Sequence, residues 1–253
     1  MTSSEIRIHL QTPGWAIASA LTVPAEPAPL ETWLPFLKAL ASQVSRSAAE
    51  AADQAGAPVS CAMGCGACCR QLVGISLIEA RALAQLVAAM PEPRQGDIRA
   101  RFAAALARLT ESGVLDADYV GPSPEFPLAA TEQQRLAAAW FSLRIACPFL
   151  ENESCGIYED RPLVCREHQV TSSPAACAQL FREPVDRIAL PVRLGAALAR
   201  AAETIDGVST AIIPLVMSLD LPGEVDDALA RKHDPRWMLE TLLAEIGDWW
   251  IEP

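Results

Sequence analysis

The chain has 253 residues, of which 51% are hydrophobic and only 6% are aromatic. That content is enough for one good-sized core or two small ones, and the abundance of Ala and Leu favours helices over sheets. Its 31 acidic and 20 basic residues give a formal net charge of -11. This charge argues against general binding to nucleic acid or to an anionic membrane, because both depend on clustered Lys and Arg.

The first residues contain no basic segment that leads into an apolar core, so a signal peptide is not expected. No uncharged apolar run reaches the roughly 18 to 20 residues that a membrane span needs. We therefore expect a cytoplasmic protein whose partners are neither nucleic acid nor a membrane. In a reducing compartment, clustered cysteines are more typical of metal ligands or redox groups than of structural disulfides.

A β-hairpin followed by a helix is predicted at the start of the chain. Apolar residues alternate loosely over residues 5–23, and Pro13-Gly14 interrupts them at the position of a turn. Over residues 31–54 the apolar positions recur at helical spacing, and Gly56-Ala57-Pro58 ends the helix. This helix leads straight into a segment rich in cysteine.

The rest of the chain is predicted to be mainly helical. Ser76 followed by Glu79 has the pattern of a capping box, in which Glu79 is the cap partner, and predicts a helix over residues 76–89. Residues 111–128, which include Asp116, Asp118 and Tyr119, predict a long loop that lies on the surface or over a site. Apolar patterns predict six further helices, over residues 96–110, 131–145, 187–204, 209–219, 224–231 and 235–247.

These elements predict a mainly α fold, a single helical domain with a small N-terminal β-hairpin, in which cysteine-rich loops are joined at a metal site. We divide this one compact domain into three regions. Residues 1–57 form the hairpin and first helix, residues 58–180 the cysteine-cluster metal-binding region, and residues 181–253 a C-terminal helical wrapping. The pair Trp249-Trp250 is expected to pack in the core or at an interface.

All eight cysteines fall between positions 61 and 177, in two groups of four. Thiolates bind zinc and iron tightly, because both metals accept soft, charged sulfur donors in tetrahedral arrangements. Two groups of four match either two four-thiolate sites or one polynuclear site that draws on both groups. The predicted metal ligands are therefore Cys61, Cys65, Cys68, Cys69, Cys147, Cys155, Cys165 and Cys177.

The adjacent pair Cys68-Cys69 favours a site with more than one metal atom. Neighbouring side chains diverge by about 100° in a helix and by about 180° in a strand, so a single ion takes both only with difficulty. Either one of the two is not a ligand or the two serve different metals. On this ground we favour an iron–sulfur cluster, of 4Fe–4S type or polynuclear, over zinc. Cys61, Cys65 and Cys68 also have the spacing used by radical S-adenosylmethionine enzymes, but the chain lacks the repeated strand–helix units of such a barrel.

Several residues near the cysteines have alternative explanations. A buried cysteine can act as a small hydrophobic residue, which is an alternative for Cys177. His168 stands three positions after Cys165, a ligand-like spacing, although a surface or structural histidine is the commoner case. The segment Asp160-Arg161-Pro162 is expected to form a salt-bridged turn. Three arginines lie beside cysteines, where they could offset negative charge, namely Arg70, Arg161 and Arg166.

The motifs around the cysteines resemble those of a known family. They are Cys65-Gly66-Ala67-Cys68-Cys69, Cys147-Pro148-Phe149-Leu150, and Cys155-Gly156-Ile157-Tyr158 continuing through Arg161-Pro162 to Cys165-Arg166. Together they are similar to the YkgJ-type cysteine-cluster proteins, whose CxxCxxCC domain is described as zinc- or iron-chelating. The resemblance covers roughly residues 58–180. It departs at Cys61, which stands four residues before Cys65 where the family usually leaves two residues between them.

The resemblance implies metal chelation and leaves the chemistry open. One branch of the family, the flagellin lysine N-methylases, is linked to an iron–sulfur cluster and S-adenosylmethionine, but the substrate-binding parts of that branch are not matched here. Three hypotheses follow. The first is a metal-binding protein whose cluster serves redox chemistry or metal handling. The second is a cluster-dependent enzyme, such as an S-adenosylmethionine-using protein methyltransferase. The third is an interaction module stapled by zinc. No catalytic residue stands out, and a protein partner or protein substrate stays open.

Overall fold

The computed structural model describes residues 4–12, 15–114, 130–208 and 212–251. Within these ranges the fold is mostly helical with a small N-terminal β-hairpin, which confirms the predicted fold class. The Pro13-Gly14 turn and the segment with Asp116, Asp118 and Tyr119 lie outside the described residues. No helix in the described ranges combines the length and the apolar composition that a membrane span requires.

The strands are β1 (Ser4–Thr12), β2 (Trp15–Val23), β3 (Gly74–Ser76), β4 (Leu150–Glu151), β5 (Ser154–Cys155), β6 (Ile212–Pro214) and β7 (Asp248–Ile251). The helices are α1 (Leu34–Gln54), α2 (Leu77–Ala88), α3 (Arg94–Glu111), α4 (Ala130–Ser142), α5 (Leu163–Glu167), α6 (Pro174–Ala178), α7 (Leu194–Asp206), α8 (Gly223–Leu229) and α9 (Pro235–Ala244). Short 3-10 turns cover Leu30–Trp33, Cys68–Arg70, Tyr158–Asp160 and Leu215–Met217.

A three-stranded antiparallel sheet joins the two ends of the described chain, in the order β2-β1-β7. Ile8 and Leu10 of β1 face the core, since period-two alternation places them on one side of the strand. Strand β7 was not predicted. It pairs with β1 so that Trp249 packs against the core, while Trp250 is 47% exposed and stacks on His9 at a centroid distance of 4.9 Å.

Most of the core comes from the helices. The helical spacing in α1 buries Leu34, Leu37, Leu40 and Val44 as one stripe, which packs partly on α5. Further buried residues come from α2, α3, α7 and α9. The predicted capping box is present, because Ser76 Oγ accepts from the Glu79 N–H and the Glu79 carboxylate accepts from the Ser76 N–H.

Two helix predictions fail in physically instructive ways. Residues 212–217 are not helical but form β6 and a 3-10 turn, because β6 pairs with β3 and Pro214 has no N–H for a helix. The helix expected over residues 187–204 begins only at Leu194. Its first expected turn is an extended segment in which the Ile188 N–H donates to the Gln169 carbonyl at 3.1 Å.

Candidate metal centre

The first cysteine segment is a loop that follows α1 and tightens into a 3-10 turn at Cys68–Arg70. Gly64 has a φ of 87°, a left-handed conformation that glycine adopts without strain. Gly66 is buried, and a Cβ there would lie 2.6 Å from Glu153 Oε2 and 2.9 Å from Leu150 Cδ1. A larger residue at position 66 would therefore have to displace the side chains of Glu153 and Leu150.

The second group of cysteines lies on a loop and three short elements that follow it. Cys147 precedes the hairpin, and Cys155 lies in β5, where it pairs with Leu150 of β4. Cys165 is in α5 and Cys177 is in α6. Short elements of this kind place each sulfur independently, while α1 and α7 hold α5 from outside.

Hydrogen bonds join the two cysteine segments without any metal. The Cys147 N–H donates to the Cys69 carbonyl at 2.7 Å. The Ser60 N–H donates to the Val170 carbonyl at 2.9 Å, and the Val170 N–H donates to Cys61 Sγ at 3.4 Å. The prediction that the cysteine-rich loops are joined is thus correct at the level of the backbone.

Backbone N–H groups act on four of the sulfurs. Val170 donates to Cys61, Phe149 to Cys147 and Ile157 to Cys155, and the N–H of Cys68 acts on its own thiol. Each of these bonds lowers the pKa of the thiol that accepts it, because an N–H stabilises the thiolate. Donors to sulfur of this kind also orient metal ligands and tune the metal they bind.

The mutual electrostatic effects of the thiols divide the cysteines into two sets that meet at Cys68. Cys61, Cys65 and Cys177 form the first set, in which the pKa of Cys177 is raised first by burial and then by Cys61, Cys68 and Cys65. Cys147, Cys155 and Cys165 form the second set. The pKa of Cys147 is raised to about 12, first by burial and then by the nearby thiols of Cys155 and Cys68.

Cys68, which is adjacent to Cys69, raises the pKa of thiols in both sets. The hydrogen bond that the Cys68 thiol makes with Cys69 is the largest cause of its raised pKa, followed by burial. The first set includes Cys177, which belongs to the second group of cysteines along the sequence. The grouping in space therefore differs from the grouping in the sequence.

Burial raises the pKa of the Cys165 thiol well above its ordinary value, and the nearby thiols of Cys147, Cys68 and Cys155 add to this rise. Thiols packed in this way cannot all ionise without nearby positive charge, because each thiolate raises the pKa of the next. A bound cation is the ordinary solution in proteins.

The three arginines beside the cysteines act differently from one another. Arg161 lowers the pKa of Cys61, Cys68 and Cys155, and its guanidinium carbon lies 4.1 Å from the centre of the Tyr158 ring. Arg70 forms an ion pair with Glu153 at 2.6 Å. Arg166 is buried and donates to the carbonyls of residues 159 and 161 and to a serine hydroxyl, so it braces the loop.

All eight cysteines are free thiols. Within the described ranges, no three His, Cys, Asp or Glu side chains stand close enough together to hold a metal ion as they are placed. The donor set itself fits zinc or iron, since it offers soft sulfur ligands in two converging sets. Closing around a metal would require the side chains to turn inward from the positions that the backbone already assigns.

His168 and the Asp160 turn have structural surroundings. His168 Nε2 is buried and has no hydrogen-bond partner within the described residues. Burial, with help from Arg187 and Arg193, lowers the pKa of this imidazole to about 4. The turn at Asp160 is salt-bridged as expected, to Lys38 Nζ at 3.4 Å.

A cleft of about 580 Å³ opens beside Cys65. Sequence reasoning missed two of its lining residues, Arg144 and Glu153. Arg144 has a φ of 52°, donates to the Ala178 carbonyl at 2.7 Å and stacks on Phe141 with its guanidinium carbon 4.3 Å from the ring centre. Only the position of Glu153, two residues before Cys155, could have indicated its place at the site.

Comparison with known families identifies this region. Residues 60–181 match the family model CxxCxxCC, whose description is "Putative zinc- or iron-chelating domain". This part of the chain is a CxxCxxCC domain. The match includes all eight cysteines and confirms the family resemblance seen in the motifs. Metal chelation by the cysteine cluster is therefore the function that the family supports. Searches of curated proteins and of solved structures found no match.

Proposed function

We propose that the CxxCxxCC domain holds an iron–sulfur cluster, of 4Fe–4S type or polynuclear, which serves redox chemistry or metal handling. The observation that carries this proposal is that Cys68, which is adjacent to Cys69, raises the pKa of thiols in both sets. A site for one tetrahedral ion needs only four of the eight thiols. Two sets of donors that meet at adjacent cysteines suit a centre with several metal atoms.

The proposed ligand sets follow from the placement of the thiols. Cys61, Cys65 and Cys177 make four donors with one member of the Cys68-Cys69 pair, and the second set makes four with the other member. When bound, such a cluster accepts and releases electrons at a potential set by its ligands, hydrogen bonds and solvent exposure. The chain contributes the N–H groups that point at sulfur, the positive charge of Arg161, and the burial of Cys165.

A second candidate is a cluster-dependent enzyme, such as a protein methyltransferase that uses S-adenosylmethionine. The cleft beside Cys65 favours it, because a small molecule could reach the edge of the first set there. The guanidinium of Arg144 lines this cleft without a carboxylate partner among the described residues, so it suits an anionic group of a substrate or cosubstrate. The net negative charge of the chain is consistent with partners other than nucleic acid or membrane. The clustered cysteines are consistent with a protein of the reducing cytoplasm.

Metal content tests the proposal. Anaerobically purified protein should be brown, with broad visible absorption, and metal analysis should give iron in place of zinc. Colourless protein with stoichiometric zinc would overturn the iron–sulfur proposal and leave the zinc-stapled interaction module as the better explanation.

Single substitutions then test the ligand sets. Cys177→Ala keeps a small apolar side chain, so it retains full metal if Cys177 only packs, and loses metal if Cys177 is a ligand as proposed. If the two sets hold separate metal centres, Cys177→Ala and Cys147→Ala should each lose about half of the iron. If they share one polynuclear centre, either substitution should empty the site. Full iron in Cys147→Ala would exclude the second set.

A further inference from the structure

We propose that the chain forms a two-fold dimer through antiparallel pairing of strand β2 with β2 of a second copy. Strand β2 is an edge of the three-stranded sheet, and its nine residues are paired on one side only, with β1. In an antiparallel strand every second residue directs its N–H and C=O away from the partner. Among the described residues, no backbone hydrogen bond from outside the sheet reaches β2.

The composition of β2 leaves this edge unprotected. Proteins usually block an edge strand with charged side chains, proline, a bulge or short length. Strand β2, WAIASALTV, has no charged residue and no proline, and its register with β1 runs without a bulge. The opposite edge differs, because β7 has only four residues and begins with Asp248. In a chain of net charge -11, an uncharged segment of this length is where two copies meet with least repulsion.

The side chains of β2 are self-complementary about Ser19. With Ser19 on the two-fold axis, Ile17 of one copy faces Leu21 of the other on the side of the core, where both are buried in the single chain. On the other side Ala18 faces Ala20, and both are exposed. The pairing therefore extends the apolar layer across two copies and brings only small side chains together outside, which is the self-matching that an isologous interface requires.

The partner is a second copy of this chain for two reasons. Strand β2 is complementary to itself in this register, and one such pairing uses the β2 edge of both copies. Each copy has one long unprotected edge, so joining two of them uses both and leaves the short β7 edges outside. The result is a six-stranded sheet with the order β7-β1-β2-β2-β1-β7.

The test uses the full chain and its mass in solution. Light scattering after size exclusion, over a dilution series, should give twice the 27.1 kDa of the single chain. The double substitution Ala18→Glu with Ala20→Glu places like charges opposite each other across the axis and should return the mass to that of one chain. The matched control is Ala18→Lys with Ala20→Glu, which places opposite charges there and should retain the dimer.

The two double variants are also compatible with the fold of the single chain. Position 18 lies opposite His9 and position 20 opposite Arg7 on β1, so an acidic residue at position 20 is tolerated within the sheet. Far-UV circular dichroism should match the parent protein for both double variants, which shows that each still folds. A parent that is monomeric at every concentration overturns the proposal. A dimer that survives Ala18→Glu with Ala20→Glu, or that is lost in both variants, overturns β2 pairing in this register.

Discussion

The buried imidazole of His168 makes stability depend on pH in a way that can be measured. Its pKa falls from 6.5 to about 4 in the folded chain, mainly because burial disfavours the charged form. The unfolded chain therefore binds a proton more readily than the folded chain between these two values. Stability from this group is fully present above pH 6.5 and is lost as the pH falls toward 4.

The size of the effect follows from the two pKa values. One step in pKa corresponds to about 1.4 kcal/mol, so the fall from 6.5 to about 4 amounts to about 3 kcal/mol at full protonation. At pH 5 the loss should already be about 2 kcal/mol, since the unfolded imidazole is then almost fully charged. The unpartnered Nε2 has no acceptor nearby that would recover this energy.

Urea unfolding at a series of pH values measures this loss. Other groups, the thiols among them, also titrate, so the informative quantity is the difference between the parent protein and a variant. His168→Gln and His168→Leu differ in polarity but neither titrates, and both should flatten the pH dependence between pH 6.5 and 4 by the same amount. If both variants keep the parent's pH dependence, the assigned burial is wrong. The ratio of metal to protein should stay unchanged, because we place His168 outside the ligand sets.

Two further substitutions test the packing that supports the cysteines. Glu79→Gln should lower the free energy of unfolding in urea by about 1–3 kcal/mol. The Glu79 carboxylate accepts from the Leu163 N–H at 2.7 Å and from Ser76, and an amide cannot accept at both ends. An unchanged midpoint would show that the link between α2 and α5 is dispensable. Phe149→Ala should cost about 3–5 kcal/mol, because the ring is 1% exposed. Met63→Ala, at a side chain that is 93% exposed, is its control and should change stability little; equal costs would contradict the described packing.

Local signals in the sequence predicted the parts of the fold that local physics determines. The capping box at Ser76 and Glu79 involves residues three apart, and the stripe of α1 repeats with the period of the helix, so both were correct. Strand β7 depends on a partner almost the whole chain away, in β1. The helix prediction was wrong at residues 212–217, because a short apolar run does not distinguish a buried strand from a helix.

The candidate site shows the same division. Spacing and residue type named all the cysteines as candidate ligands, and the resemblance located the domain. The grouping of Cys177 with Cys61 and Cys65 depends on how α6 returns to the first loop, which no spacing contains. The cleft beside Cys65 likewise takes its lining from segments that are separate in the sequence, residues 64–70, 144–153 and 174–178.

The position of the cysteines relative to the core bears on what a bound metal does. In small zinc domains the metal supplies the folding energy, because there is little core without it. Here the buried residues come mainly from β1, α1, α2, α3, α7 and α9, and of the eight cysteines only Cys147 and Cys155 pack against this core from its border. The two cysteine segments are also joined by their own hydrogen bonds, such as that from the Cys147 N–H to the Cys69 carbonyl. Most of the described core therefore lies outside the cysteine segments, unlike the core of a small zinc domain.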